Sequence, residues 1–228
     1  AVSLLVQSVL QDPEFLYRIE VGKDTGDGST FALDDYEIAT RMAFLLWGST
    51  PDDALLADAE AGRLSDATAR GLVARRMLQD PRAREQLHRF HAMWLGYRAL
   101  PHPPQLTSAF QRETTALLDR VVFDEKQSYL NLFTFDETYV DDMLADQYGL
   151  PKPSGGQGWV SYGATGRAGI LSHGSVLSAF SKFTDTSPTQ RGKFIRTRLL
   201  CQEIPRPPAN VTADKPPSGK DAVCKYDR

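Results

Sequence analysis

The sequence has no long hydrophobic run and no concentration of positive charge. Apolar residues make up 41% of its 228 residues, yet no stretch approaches the roughly 20 consecutive apolar residues that a membrane-spanning helix needs. Lys and Arg total 26 against 29 Asp and Glu, a net charge of -3, and the two signs are interspersed. These absences argue against a membrane span and against nucleic acid or an anionic membrane as a partner.

The start of the sequence also lacks the features of a signal peptide. The stretch AVSLLVQSVLQDPEF has no basic beginning and no small-residue cleavage site. Its apolar residues recur at helical spacing, at Val2, Leu5, Val6, Val9 and Leu10. We therefore expect the chain to begin within a helix and to be the mature or excised portion of a longer protein.

Cysteine is scarce, since the chain has only Cys201 and Cys224. Their spacing fits neither a CxxC metal site nor a CxxCH haem attachment. The segment between them has little apolar content, and a disulfide closing it would contribute roughly 3 kcal/mol through lost unfolded-chain entropy. Two interpretations stay open: a disulfide between Cys201 and Cys224 in an oxidising compartment, or two independent thiols.

Helix-starting signals are frequent in the first two-thirds of the chain. Asp34 and Glu37 have the spacing of a capping box, and Thr50 and Asp80 each precede a proline suited to the first helical position. Helices are predicted near 33–47, 51–61, 65–79, 81–98, 108–131 and 137–148. The Gly- and Asp-rich stretch before them, at 15–33, predicts a short hairpin or an irregular arm.

The last third of the sequence has a different composition. A Pro- and Gly-rich segment at 151–166 predicts a linker, and Gly149 is placed to cap the helix before it. Two further helices are predicted at 168–181 and 187–202. The prolines that follow Ile204 predict an extended tail.

The end of the first predicted helix is apolar on more than one side. One stripe holds Ile38, Met42, Leu45 and Leu46, and another side holds Tyr36, Phe44 and Trp47. A helix of this kind has to be covered on several sides, which predicts a central position in a bundle. The alternative is an exposed patch that binds a partner.

Two histidines are candidate ligands for haem or a metal ion. His88 and His91 lie three residues apart on the predicted helix 81–98 and can face the same side. Two imidazoles at this spacing can share a metal ion, or one can ligate a haem iron. No third ligand is evident nearby, and His91 falls on the apolar stripe, which favours a hydrogen-bonded core histidine.

A weaker catalytic signal lies in the stretch LSHGS, where His173 stands beside Ser172 and Ser175. Nucleophilic catalysis by serine needs a base within hydrogen-bond reach and an orienting carboxylate. The chain has no GxSxG elbow, and small residues at a helix start explain the stretch without catalysis. No catalytic residue is therefore assigned.

Four basic residues follow Ser187 at the start of the last predicted helix: Arg191, Lys193, Arg196 and Arg198. The first turn of a helix exposes N–H groups that attract anions. Arg191 and Lys193 are therefore candidate anion-binding residues. Pairing with Asp and Glu side chains of the same chain is the favoured alternative.

Taken together, these stretches resemble two adjoining domain-of-unknown-function families, 1592 and 1588, from large secreted proteins of planctomycetes and myxobacteria. Similarity to the first runs through FLYRIE, LDDYEIATRMAFLLWGSTPDDALL, RRMLQDPRA, FHAMWLGY and YVDDMLADQYGLP. Similarity to the second covers RAGILSHGSVLSAFS and TSPTQRGKFIRTRLLCQEIPRPPANV. The resemblance implies export and an association with c-type cytochrome segments. This sequence departs from the full pattern because it contains no CxxCH.

The sequence thus predicts an all-α chain. A helical bundle domain is expected over 1–150, and a Gly-rich linker, a smaller two-helix unit and a Pro-rich tail over 151–228. The expected function is that of a structural or docking module in an exported, cytochrome-associated multidomain protein, secreted or periplasmic. Its expected partners are other segments of the same protein, a cytochrome domain among them. No cofactor is expected in this chain, although haem c is possible in a neighbouring segment. The alternative is part of an oxidoreductase that contributes a histidine or a pocket wall to that haem.

Overall fold

A computed structural model describes residues 2–182 and 186–205, and within these ranges the chain is mainly helical, which confirms the predicted fold class. The helices are α1 Val2–Gln11, α2 Pro13–Leu16, α3 Asp35–Leu46, α4 Asp53–Glu60, α5 Ala67–Met77, α6 Pro81–Trp94, α7 Pro104–Leu118, α8 Asp142–Tyr148, α9 Gly174–Ala179 and α10 Pro188–Phe194. The strands are β1 Lys23–Asp24, β2 Phe31–Ala32, β3 Glu137–Asp141 and β4 Gln157–Ser161. None of these helices combines the length and the apolar character that crossing a membrane requires.

The chain divides into two compact units, the first ending at Ala179 and the second beginning at Phe180. This division lies later than the predicted domain boundary at 150–151, because β4 and α9 pack with elements of the first unit. In the described part of the second unit, α10 continues into a π-helical turn, Ile195–Leu199, and Phe194 stacks on Phe180 with ring centroids 4.1 Å apart. The predicted Pro-rich tail falls almost entirely beyond residue 205, outside the described residues.

Capping side chains set the starts of helices α3 to α6. Asp34 accepts a hydrogen bond from the Glu37 amide at 2.8 Å, and Glu37 accepts one from the Asp34 amide at 2.9 Å, which completes the predicted capping box. The side chains of Asp52, Asp66 and Asp80 each accept a hydrogen bond from a backbone amide in the first turn of α4, α5 and α6, respectively. These four helices enclose one apolar core: Ala39, Met42, Ala43, Trp47, Leu55, Ala59, Leu64, Val73, Met77 and Ala83.

The apolar end of α3 is divided between this core and solvent. Trp47 is buried, its indole N–H donates to the Met77 carbonyl at 2.9 Å, and the Arg82 guanidinium lies 3.6 Å from the ring centroid. Leu45, two residues earlier, is 73% exposed. One side of α3 therefore packs in the core, and the other side faces solvent.

A second core joins α7 to a two-stranded sheet that the sequence did not predict. Strands β3 and β4 pair antiparallel, with Thr138 opposite Val160 and Val140 opposite Gly158. The predicted helix at 137–148 is wrong over its first five residues, because Thr138 and Val140 alternate inward as in a strand and Asp141 caps the shorter helix α8. The predicted linker at 151–166 likewise contains β4.

Replacing Trp47 by Phe removes the indole donor to Met77 while keeping an aromatic ring in the core. We expect a loss of roughly 1–2 kcal/mol in the free energy of unfolding, measured by urea denaturation. Leu45→Ala on the same helix is the matched control, and its effect should stay within about 0.5 kcal/mol because Leu45 is exposed. Equal losses in the two variants would contradict this division of the helix.

Candidate functional site

A carboxylate on the inner face of α7 lies at the centre of a largely buried polar cluster. Glu113 has 0% exposure. The Thr138 hydroxyl donates to its Oε1 at 2.7 Å, and the Tyr148 hydroxyl donates to its Oε2 at 2.7 Å. The Gly174 amide lies 3.3 Å from the same Oε2 and 2.7 Å from the Tyr148 oxygen. Glu113 therefore links α7 to β3, α8 and the first residue of α9.

Burial dominates the electrostatics of Glu113. Removal from water raises the pKa of this carboxyl to about 7, against the opposing effect of its three hydrogen-bond donors and of the nearby Arg167 cation. The Arg167 guanidinium lies 3.8 Å from the Tyr148 ring centroid and donates to the Ser172 carbonyl at 2.7 Å. The Arg167 cation thus lies beside the cluster without forming a direct ion pair with the Glu113 carboxylate.

His173 joins the same cluster through Thr114. Thr114 Oγ1 lies 3.1 Å from the Phe110 carbonyl oxygen, 3.1 Å from His173 Nδ1 and 2.6 Å from Ser175 Oγ, all within hydrogen-bond distance. His173 Nε2 has no hydrogen-bond partner among the described residues and lies 4.0 Å from Glu113 Oε1. Burial, followed by the Arg167 charge, lowers the pKa of His173 to about 3, so the ring is neutral.

The close approach of α9 to α7 requires glycine at position 174. A Cβ on Gly174 would overlap the ring of Phe110. With glycine there, the amide reaches both Tyr148 and Glu113. The small residues of LSHGS thus have a packing role at a helix start, as the sequence suggested.

This cluster contains chemical groups that hydrolases use, and the four residues that carry them are buried. Glu113, Thr114, His173 and Ser175 all have 0% exposure and are joined in one network of polar contacts. Catalysis by serine would require a scissile carbonyl beside its Oγ. Ser172 lies apart, since its hydroxyl donates to the Ala168 carbonyl at 2.9 Å. The arrangement is suited to holding the fold together.

Sequence reasoning missed Glu113 and Thr114 as members of this cluster. The available signal was a carboxylate in line with Ala109, Phe110 and Leu117, at the three- and four-residue spacing of one helix face. A charge on an apolar face demands buried donors. Which distant residues supply those donors could not be deduced without the strand pairing.

The two predicted ligand histidines lie together on α6 but have different neighbours. His91 is buried, its Nδ1 donates to the Leu87 carbonyl at 2.8 Å, and its Nε2 accepts from the Tyr129 hydroxyl at 2.7 Å. Burial lowers the pKa of His91, so this ring is also neutral. His88 is partly exposed, and its Nε2 lies 2.9 Å from Asp119 Oδ1. Both nitrogens of His91 are thus engaged within the chain.

Beside His91 lies a group of side chains that we name the aromatic patch: Phe90, Trp94 and Tyr129, which contact its imidazole, and their exposed sequence neighbours Met93 and Leu130. Phe90 and Trp94 stack with ring centroids 5.8 Å apart, and each contacts the imidazole of His91 edge-on. Phe90, Met93, Tyr129 and Leu130 are between 40% and 70% exposed, whereas Trp94 is half-buried. The patch therefore offers aromatic, methionine and leucine surface beside a buried histidine.

The remaining predicted site residues lie in the second unit. Arg191 is half-buried and Lys193 exposed, and neither forms an ion pair with another described residue. Their role in anion binding stays a prediction. Cys201 is exposed, whereas Cys224 lies outside the described residues, so the Cys201–Cys224 disulfide also stays a prediction. Within 2–182 and 186–205, no three His, Cys, Asp or Glu side chains are grouped so that they could hold a metal ion.

Replacing Glu113 by Gln tests the electrostatics of the enclosed cluster. The pKa of about 7 exceeds the ordinary value of 4.5, so the native state holds this proton more tightly than the unfolded chain. The free energy of unfolding therefore falls as pH rises from about 4.5 to about 7, by roughly 3 kcal/mol for the full shift. Relative to the wild type, Glu113→Gln should gain that stability across this window, measured by urea denaturation at a series of pH values.

His173 acts in the opposite direction, because its pKa falls from 6.5 to about 3 on folding. The contribution of His173 to the free energy of unfolding is fully present above pH 6.5. It is lost as pH falls, since the unfolded chain takes up the proton first. The Glu113→Gln variant should therefore lose stability more steeply than the wild type as pH falls below 6.5, because the opposing effect of Glu113 is removed. Glu60→Gln, which alters an exposed carboxylate, is the control. If the free energy of unfolding changed with pH in parallel for the wild type and Glu113→Gln, the raised pKa of Glu113 would be contradicted.

Comparison with known proteins identifies two adjoining families. The family described as "Protein of unknown function (DUF1592)" matches residues 33–150, just over half of the chain, and "Protein of unknown function (DUF1588)" matches residues 167–226. No curated protein matches. No solved structure matches either. The chain belongs to the DUF1592 family, with a DUF1588 segment adjoining it.

Proposed function

We propose that this chain is a structural and docking module of an exported, c-type-cytochrome-associated multidomain protein, and that it performs no catalysis itself. The observation that carries the proposal is the placement of its polar groups. The side chains with catalytic chemistry, Glu113, His173 and Ser175, are enclosed and bound within one network, whereas the aromatic patch is exposed. A surface that offers apolar contact without a reacting group is suited to binding another protein domain.

The enclosed cluster supports the structural half of this proposal. Thr138 and Tyr148 belong to the DUF1592 match, and Gly174 belongs to the DUF1588 match, yet all three bind Glu113. Breaking such a network leaves a buried carboxylate without its donors, at a cost of several kcal/mol. The start of the DUF1588 segment is therefore held firmly against the DUF1592 helices.

The aromatic patch supports the docking half. Aromatic residues and Met are enriched in the buried centres of protein interfaces, where Trp and Tyr often contribute most of the binding energy. Phe90 and Met93 are 48% and 51% exposed on consecutive turns of α6. The partner we propose is the cytochrome domain of the same exported protein, which the family resemblance implies. Such a setting is secreted or periplasmic and oxidising, and it favours the disulfide between Cys201 and Cys224.

Side-chain footprinting tests the docking role directly. Hydroxyl-radical labelling of the intact longer protein should be at least severalfold slower at Phe90, Met93 and Trp94 than labelling of this 228-residue chain, because a docked domain excludes solvent. Met93→Asp in the intact protein should restore fast labelling of its neighbours. Leu72→Asp, at a 62% exposed position on α5, is the control and should leave the pattern unchanged. Equal labelling in the long and short proteins would rule out docking through the patch.

A second candidate function is that the chain forms part of an oxidoreductase. His88 or His91 would then lie beside a haem that another segment holds. The favouring observation is the pairing of His88 with Asp119 at 2.9 Å, an arrangement in which a carboxylate orients an imidazole. If either histidine ligates the haem, His88→Ala or His91→Ala in the intact protein should shift the Soret band and the midpoint potential. Unchanged spectra and potentials in both variants would remove this candidate.

A further inference from the structure

An extended segment, residues 17–21, lies along the exposed side of α3, and we name it the arm. The Arg18 guanidinium lies 4.4 Å from the Phe44 ring centroid, and Glu20 receives two hydrogen bonds from Arg41, at 2.7 and 2.6 Å. The Val21 amide then donates to the Glu37 carboxylate at 2.6 Å. Positions 44, 41 and 37 follow one face of the helix, so the arm runs antiparallel to α3.

The side chains of the arm alternate as those of a strand do. Arg18 and Glu20 turn toward α3, whereas Tyr17, Ile19 and Val21 are 69%, 56% and 76% exposed. A period of two places successive side chains on opposite faces of an extended chain. The arm is therefore a strand in its side-chain pattern, although no strand of the described residues pairs with it.

The backbone of the arm has one unpaired edge. The Tyr17 amide donates to the Pro13 carbonyl at 2.9 Å and the Val21 amide to Glu37, so both point into the chain's own surface. Amides of an extended chain point alternately to opposite edges. Those of Arg18 and Glu20 therefore point outward, and neither these amides nor the carbonyls of the two residues bind another described residue.

We propose that this edge pairs antiparallel with the arm of a second copy of the chain, about a two-fold axis at Ile19. In that register the Arg18 amide of one copy donates to the Glu20 carbonyl of the other copy, and the Arg18 carbonyl accepts from that Glu20 amide. Glu20 of the first copy and Arg18 of the second form the same two hydrogen bonds. The contact is isologous, since the same residues serve on both sides. It is an interaction surface separate from the aromatic patch and independent of the proposed function.

The arm is self-complementary in charge and in apolar character, which selects a second copy as its partner. Directly opposed residues lie on the same face of an antiparallel pair, so Arg18 faces Glu20 of the other copy at both ends. On the outer face, Ile19 meets its own counterpart and Tyr17 meets Val21, which covers apolar side chains that are exposed in one copy. Parallel pairing would align like charges, Arg18 with Arg18 and Glu20 with Glu20.

Sedimentation equilibrium of the 228-residue chain across a wide concentration range tests the pairing. The wild type should show a monomer–dimer equilibrium, and Ile19→Asp should raise its dissociation constant about tenfold or more, because two carboxylates would meet on the axis. Leu72→Asp, an equally exposed apolar position on α5, should leave the constant unchanged.

Charge reversal gives the sharper result. Arg18→Glu and Glu20→Arg should each weaken self-association, since each places like charges opposite one another. An equimolar mixture of these two variants should associate again, because Glu at position 18 then faces Arg at position 20 of the other chain, and the reverse pair is restored. A wild type that stays monomeric, a dissociation constant unaffected by Ile19→Asp, or a mixture no tighter than its components would overturn the proposal.

Discussion

A carboxyl group taken out of water has to find its donors inside the protein, and Glu113 finds them in parts of the chain far apart in sequence. Thr138, Tyr148 and Gly174 come from a strand, a helix and a helix start. Each donor has to be in position at the same time, because a missing one leaves buried charge uncompensated. The placement of β3, α8 and α9 against α7 follows from that requirement as well as from the apolar core around Phe110.

Local signals in the sequence predicted the helices of the first core. The capping box of Asp34 and Glu37 and the aspartate before Pro81 act within a few residues, so their effect on structure can be deduced without tertiary contacts. The strands β3 and β4 could not be deduced in this way. Their pairing joins residues about twenty positions apart, and the helical spacing of YVDDMLADQY masked the two-residue alternation of Thr138 and Val140.

The histidines of the candidate site likewise depend on contacts that local sequence patterns do not predict. His91 and His173 were both visible as unusual residues, and both are enclosed neutral imidazoles whose chemistry is determined by a partner elsewhere in the chain. His91 uses both nitrogens, on Leu87 and Tyr129, whereas His173 uses one, on Thr114. A motif of three or four residues cannot distinguish these situations, because the deciding contacts span from 38 residues for His91 to 59 for His173.

In the arm, contacts with α3 hold the charged side chains, and the apolar side chains are left exposed. Arg18 and Glu20 bind residues of α3 that lie on one helix face, and this holds the backbone extended at the surface. The same clamp turns Tyr17, Ile19 and Val21 toward solvent, where isolated apolar side chains are ordinary but an alternating row beside unpaired amides is a template for strand addition. Ordering the arm on α3 before any partner binds also lowers the entropy lost on association, since the extended conformation is already formed.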